Sequence, residues 1–197
     1  MKLELEVKIA SDMDELVNML NRGDGDIIAH NLTVTTERKK YLAFTEHHAT
    51  TKQVLVQRKP DNWRKMRTHE IKKQLIESPI ALIGEFDKTI HVRKTTSDSE
   101  RLRHWEGVMG GVFSIQYEKA NRITEDIIRD VADGTSDFTV ADNKFASLNA
   151  MYYPNLDISV DISLLQRIAW AVRKNSPELH DEVSKWVTEA RGSTKYN

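Results

Sequence analysis

The sequence predicts an α/β protein of two lobes, and three observations carry that expectation. Short apolar runs alternate with amphipathic stretches of about ten residues along most of the 197-residue chain, the pattern of strand, helix and strand crossover units. Two segments repeat one plan of helix, acidic glycine turn, short apolar run and polar cluster. The first uses residues 12–20, Gly23-Asp24-Gly25, 27–29, and then Asn31, Thr33 and Arg38; the second uses 124–132, Asp133-Gly134, 138–141, and then Asp142 and Asn143. No proline-rich or low-complexity tether separates the halves, so extended strands are expected to join two lobes that face one cleft.

Each element has its own reason. Residues 3–9 alternate apolar and charged side chains as a strand does,. Ser11 is placed to cap a helix whose apolar positions Met13, Leu16, Val17 and Leu20 recur at helical spacing, and the glycine turn at 23–25 ends it. The run 27–29 reads as a buried parallel strand, and the polar cluster 36–40 leads into Leu42 and Phe44. A strand at 53–57 precedes a basic, helix-like stretch over 63–76. The alternation then resumes with strand 89–92, helix 99–109, strand 112–117, helix 124–132, strand 138–140 and helix 143–151. Strand 166–172 and helix 176–191 complete the pattern. In both repeated segments the polar groups sit just past the end of a strand, where helix amino termini converge on ligands in open α/β sheets.

Composition narrows the function classes. With 29 Lys and Arg against 30 Asp and Glu, the net charge of −1 gives no global positive field, and a nucleic-acid partner is not expected,. No stretch approaches the roughly 18 to 20 apolar residues of a membrane span. The absence of cysteine removes disulfides and thiolate metal sites,. The opening residues lack the apolar core of a signal peptide, which suits either an intracellular chain or one whose front end has been removed. His47 and His48 are neighbours on an extended segment and point to opposite faces, so one metal would not take both; no metal or cofactor is expected. Ser97, the histidines and Asp142 lack a nucleophile-elbow sequence, and no catalytic residue is expected in this chain. The basic run from Arg64 to Lys73 reads as a solvated face, with contact to an anionic polymer or phospholipid surface as the alternative. The four tryptophans read as core or groove packing,.

Residues 24–40, Asp-Gly-Asp-Ile-Ile-Ala-His-Asn-Leu-Thr-Val-Thr-Thr-Glu-Arg-Lys-Lys, followed by Phe44-Thr45-Glu46, resemble a segment of the class II periplasmic solute-binding proteins (family 3 type). The Asn-Leu-Thr-Val-Thr version is similar to the solute-binding-like module at the front of membrane-bound lytic murein transglycosylases of the F type. The stretch 89–97 resembles the family's strand ending in a Gly-Ser/Thr-Thr loop, and Asp137-Phe138-Thr139-Val140-Ala141-Asp142 its Asp-apolar-apolar-x-x-Asp strand. The resemblance implies a periplasmic binding protein-like II fold with two lobes. Each has a central, mostly parallel sheet flanked by helices, with two extended hinge strands between them. Lobe 1 would take 1–52 plus 165–197 and lack the family's first strand and helix; lobe 2 would take 53–164. His47 and His48 depart from the family's Pro-Tyr, and Thr95 from a common glycine.

By the same resemblance, Arg38 is the carboxylate clamp, Thr33 bonds the same carboxylate, and Asn31 lines the cleft beside it. Thr96 and Ser97 complete the anion site from the second lobe, and Asp142 receives an ammonium. The ligand implied is zwitterionic: an amino acid, a peptide or a muropeptide. As residues alone, Thr96, Ser97 and Asp142 also suit helix capping, and Arg38 also suits a solvated ion pair. The resemblance further implies a non-catalytic, periplasmic module of an outer-membrane-associated transglycosylase, whose catalytic domain and membrane attachment lie outside this chain. A free amino-acid-binding subunit of an ABC importer is the alternative. An edge strand left bare by the missing front unit would pair with a second chain.

Overall fold

A computed structural model describes residues 5–84, 88–94, 96–109, 114–119 and 121–193. The chain forms two compact units, Met1–Thr50 with Gln166–Asn197, and Thr51–Leu165. It crosses between them near the end of one strand and the start of another.

The first unit holds helix α1 (Met13–Arg22), strands β1 (Ile27–Thr33) and β2 (Ala43–Thr51), and, from the far end of the chain, β8 (Gln166–Val172) and helix α6 (Pro177–Gly192). The strand order is β1-β8-β2. β1 runs antiparallel to β8, with Ile27 opposite Val172, and the register shifts between Ile28 and Leu32, so that Thr33 faces Ile168. The parallel strand expected at 27–29 is therefore corrected: its partner comes from the last strand of the chain, which a local pattern cannot show. The helical spacing of α1 turns Leu20 onto Ile28, Leu32, Leu42 and Ala171, with Met13, Leu16, Val17 and Phe44 around them,. Asp12, one residue later than expected, is the N-cap, accepting from the Glu15 amide at 2.8 Å. Ser11 instead gives both its amide (2.6 Å) and hydroxyl (2.7 Å) to the Glu15 carboxylate. Gly23 ends the helix at φ 83, a left-handed conformation that glycine adopts without a steric cost,. Arg173 ties that end to β8, donating to the carbonyls of Leu20 (3.1 Å) and Gly25 (2.7 Å) and pairing with Asp26.

The strand expected at 3–9 is corrected over its described part. Residues 5–10 have no ladder, and Leu5, Val7 and Ile9 are 88%, 76% and 92% exposed. Alternation prepares a strand; only a partner edge makes one.

The second unit orders its strands β5-β4-β6-β3-β7, from β3 (Gln53–Arg58), β4 (Thr89–Arg93), β5 (Ser114–Glu118), β6 (Phe138–Asp142) and β7 (Leu156–Asp161). The sheet is mixed: β4 is parallel to β5 and β6, as crossover units require, whereas β3 is antiparallel to β6 and β7,. One face packs Leu55, Ile90, Val92, Phe138, Val140 and Val160 with Leu102 of α3 (Ser97–Met109). The other packs Val54, Val56 and Ala141 against Ile128 and Val131 of α4 (Thr124–Asp133) and Ala146 of α5 (Asn143–Tyr152). β7 has no counterpart among the expected strands, although Leu156, Ile158 and Val160 alternate. Val112 and Phe113 of the expected strand lie outside the described residues. The stretch 63–76 is not one helix. A 3-10 turn, Trp63–Lys65, breaks at an extended Met66, and α2 spans only Thr68–Lys72. Cations at 64, 65 and 67 repel along a helix face, and the Glu70 carboxylate takes the Arg67 amide at 2.7 Å to restart the helix,.

Candidate functional site

In the first unit, Thr33 closes β1 and Arg38 opens the 3-10 turn Arg38–Lys40, so five residues of chain fold back on themselves. The Thr35 hydroxyl accepts the Arg38 amide at 3.2 Å and sets the turn. Arg38 then donates from Nη1 to the Thr33 carbonyl at 3.3 Å. Thr33 is 7% and Arg38 5% exposed. A guanidinium carried this far from water needs acceptors with planar geometry. The structure thus brings Thr33 and Arg38 together. Asn31 lines a recess of about 300 Å³ with His48, Trp170, Trp186, Val187, Ala190 and Arg191; neither Thr33 nor Arg38 is among its described lining residues. Trp170 and Trp186 stack there at 5.4 Å, so two of the tryptophans pack against each other.

In the second unit, Thr96 stands immediately before α3. Its hydroxyl accepts the Ser99 amide (3.3 Å) and donates to the Arg93 carbonyl (3.1 Å), while the buried Ser99 hydroxyl accepts the Thr96 amide (3.1 Å). This reciprocal pair fixes where the helix starts, two residues earlier than the spacing suggests. Ser97 is the first residue of α3, at its electropositive end,. Asp142 ends β6 and caps α5: Oδ1 accepts from the amides of Lys144 (2.9 Å) and Phe145 (3.4 Å), and Oδ2 from the Thr51 hydroxyl. Its carboxylate is half-buried and already oriented by three donors.

Sequence reasoning missed the residue that links these two helix starts. Gln53, 2% exposed, faces Asp142 across the β3–β6 ladder and donates from Nε2 to the Asp98 carboxylate of α3 at 2.7 Å. A lone polar residue opening the apolar run Val54-Leu55-Val56 is the signal that could have found it. Thr51, two residues earlier on the same side of the chain, orients Asp142 in the same way.

Chemically, the first unit offers a positive, planar donor beside a hydroxyl residue, which suits a carboxylate. The second offers a helix start with two hydroxyl residues and, separately, a preset carboxylate. Among the described residues no group of three or more His, Cys, Asp or Glu is placed to hold a metal ion. No described helix is long and apolar enough to cross a membrane.

Comparison with known proteins gives these features a context. The bacterial extracellular solute-binding proteins, family 3, match residues 1–197. The membrane-bound lytic murein transglycosylase F of Desulfosudis oleivorans is 35% identical over 190 residues, covering 96% of this chain and 38% of that protein. Its namesake in Saccharophagus degradans is 26% identical over 190 residues, covering 96% of this chain and 34% of the relative. The chain therefore spans little more than a third of the length of these curated relatives. Among solved structures, holo ArgBP from T. maritima superposes with a TM-score of 0.72 at 26% identity, covering 98% of this chain and 76% of that one.

Proposed function

Because the chain belongs to the bacterial extracellular solute-binding proteins, family 3, we propose that it is a non-catalytic ligand-binding module that closes around a small zwitterion. The observation that carries this reading is Arg38: a guanidinium at 5% exposure, held by the turn it opens and by the Thr33 carbonyl. Such a group can donate two parallel charge-assisted bonds to a carboxylate, with Thr33 and Asn31 nearby on β1,. Asp142 takes the ligand ammonium, and Thr96 and Ser97 present the start of α3 to the carboxylate. Ligand binding then shifts an open-closed equilibrium by the ligand's differential affinity for the closed form.

The relatives named murein transglycosylases support a finer reading. The ligand is a peptide, amino acid or muropeptide released from peptidoglycan, and the module regulates a periplasmic, outer-membrane-associated transglycosylase whose catalytic domain lies elsewhere in the protein. A second reading, a free amino-acid-binding subunit of an ABC importer, is favoured by one observation. Holo ArgBP from T. maritima superposes on 98% of this chain with a TM-score of 0.72 at 26% identity.

The experiment is a thermal-shift and calorimetric panel of free amino acids, L-arginine among them, and of purified muropeptides. A stabilising shift with muropeptides in preference to free amino acids supports the module. A shift with one amino acid alone supports the importer subunit. No shift with any zwitterion overturns both. A coding sequence that continues past residue 197 into a lysozyme-like domain separates the two readings independently.

A further inference from the structure

One end of the second unit carries a surface that ligand binding does not use. Residues 58–74 hold seven Lys and Arg against two Asp and Glu, a local charge of +5 in a chain of net charge −1. The fold keeps these cations in water: Arg58, Arg64, Lys65, Arg67, Lys72 and Lys73 are all exposed. Because the stretch is a 3-10 turn and a five-residue helix instead of one long helix, its cations spread over a face instead of a single stripe. Trp63 lies among them, half-buried, with Lys59 Nζ at 4.8 Å and Arg64 Cζ at 5.3 Å from its ring,.

Apolar side chains stand beside this charge. Lys59 is pinned to the loop after α5, donating its amide to the Asn155 carbonyl (2.7 Å) and its Nζ to the Pro154 carbonyl (2.8 Å). That loop follows directly from the last turn of α5, where Leu148, Met151 and Tyr152 are 52%, 76% and 75% exposed. Exposed large apolar groups next to a cationic field have one economical explanation in an extracellular protein. Cations attract the surface, an amphipathic indole and phenol settle at headgroup depth, and methionine and leucine enter the acyl boundary. An anionic glycan or nucleic acid would use the cations but leave Leu148 and Met151 without a role.

We propose that this face, built from Arg58–Lys59, the Trp63–Lys65 turn, α2 and the end of α5, docks on an anionic phospholipid bilayer. The proposal stands apart from the ligand reading, since no residue is shared with it.

The test is co-sedimentation of the 197-residue chain with vesicles of phosphatidylcholine alone and of phosphatidylcholine with a quarter phosphatidylglycerol, at low and at high salt. Binding is expected only to the anionic vesicles and is expected to fall at high salt, where surface charges are screened. Each cation removed should lower partitioning about fivefold, so R64E/K65E/K73E should abolish it. M151S/Y152S should weaken it with no change of charge. All five positions are exposed, and an unchanged Tm confirms that the variants fold. Equal binding to neutral vesicles, or full binding by the triple variant, would overturn the proposal. So would retention on a soluble polyanion such as heparin with none on vesicles, which would assign the face to an anionic polymer.

Discussion

Burial of a guanidinium is costly, so the 5% exposure of Arg38 makes its chemistry specific,. Lysine in its place would keep the charge and lose the planar fork; Arg38→Lys should weaken carboxylate binding at least tenfold, read by calorimetry, while Arg38→Ala should abolish it. Asp142 caps α5 and, in the function proposed above, receives the ligand ammonium; substitution can separate the two. Asparagine is as good an N-cap as aspartate, so Asp142→Asn should keep the Tm within about 1 °C yet lose ammonium affinity; Asp142→Ala should also remove the cap, about 1 kcal/mol, lowering Tm by about 2–4 °C. If the Asp142→Asn variant binds the panel's ligand as well as the native chain does, Asp142 is a cap alone. His180 makes a prediction about pH. Its hydrogen bond to Asp181, helped by the Phe44 carbonyl at 2.8 Å and opposed by burial, raises its pKa above the ordinary histidine value. The protonated form is favoured in the folded state, so the stabilisation is fully present below about pH 6.5 and is lost as pH rises through the folded value. The Tm gap between the native chain and His180→Gln should therefore be widest in acid and close in alkali. At this scale the sequence located Thr33 with Arg38 and the cap at Asp142. It could not show Gln53 or Ser99, because their roles depend on a partner 45 residues away for Gln53 and on a buried reciprocal pair for Ser99.

Elements were legible wherever local pattern and local caps suffice. Helices α1, α4, α5 and α6 and strands β3, β4, β6 and β8 stand within two residues of the spacing-based reading. Elements that depend on distant partners were not: the alternating residues 5–9 find no edge, and β7 exists because β3 offers one. α6 illustrates the reverse case, a helix evident in sequence whose placement is tertiary. It is fastened along β2 by His180 on the Phe44 carbonyl, the Ser184 hydroxyl under the Glu46 amide (3.2 Å) and Arg191 on the His47 carbonyl (2.8 Å). α4 carries the sharpest backbone constraint. Gly134 ends it at φ 81, and a Cβ there would stand 3.0 Å from the Arg58 guanidinium. Gly134→Ala should cost about 1–2 kcal/mol in backbone strain alone, measured as a lower denaturant midpoint at unchanged slope. An unchanged midpoint would mean that the turn relaxes into another conformation.

For the whole molecule, the α/β architecture of the periplasmic binding protein-like II kind is shared with ArgBP, and the family assignment covers the full chain. Charge follows the same logic at this scale: a nearly neutral total conceals a strongly basic segment, residues 58–74, which composition alone cannot reveal. In the proposed function Arg38 clamps the carboxylate of a small zwitterionic ligand. The most direct test is the thermal shift of the native chain and of Arg38→Ala across the panel of amino acids and muropeptides. With a ligand at about one hundred times its Kd, the native chain should gain about 2.7 kcal/mol and about 5–10 °C in Tm, and Arg38→Ala, folded and with a measurable transition of its own, should gain nothing. An equal ligand-induced shift in Arg38→Ala would contradict the account.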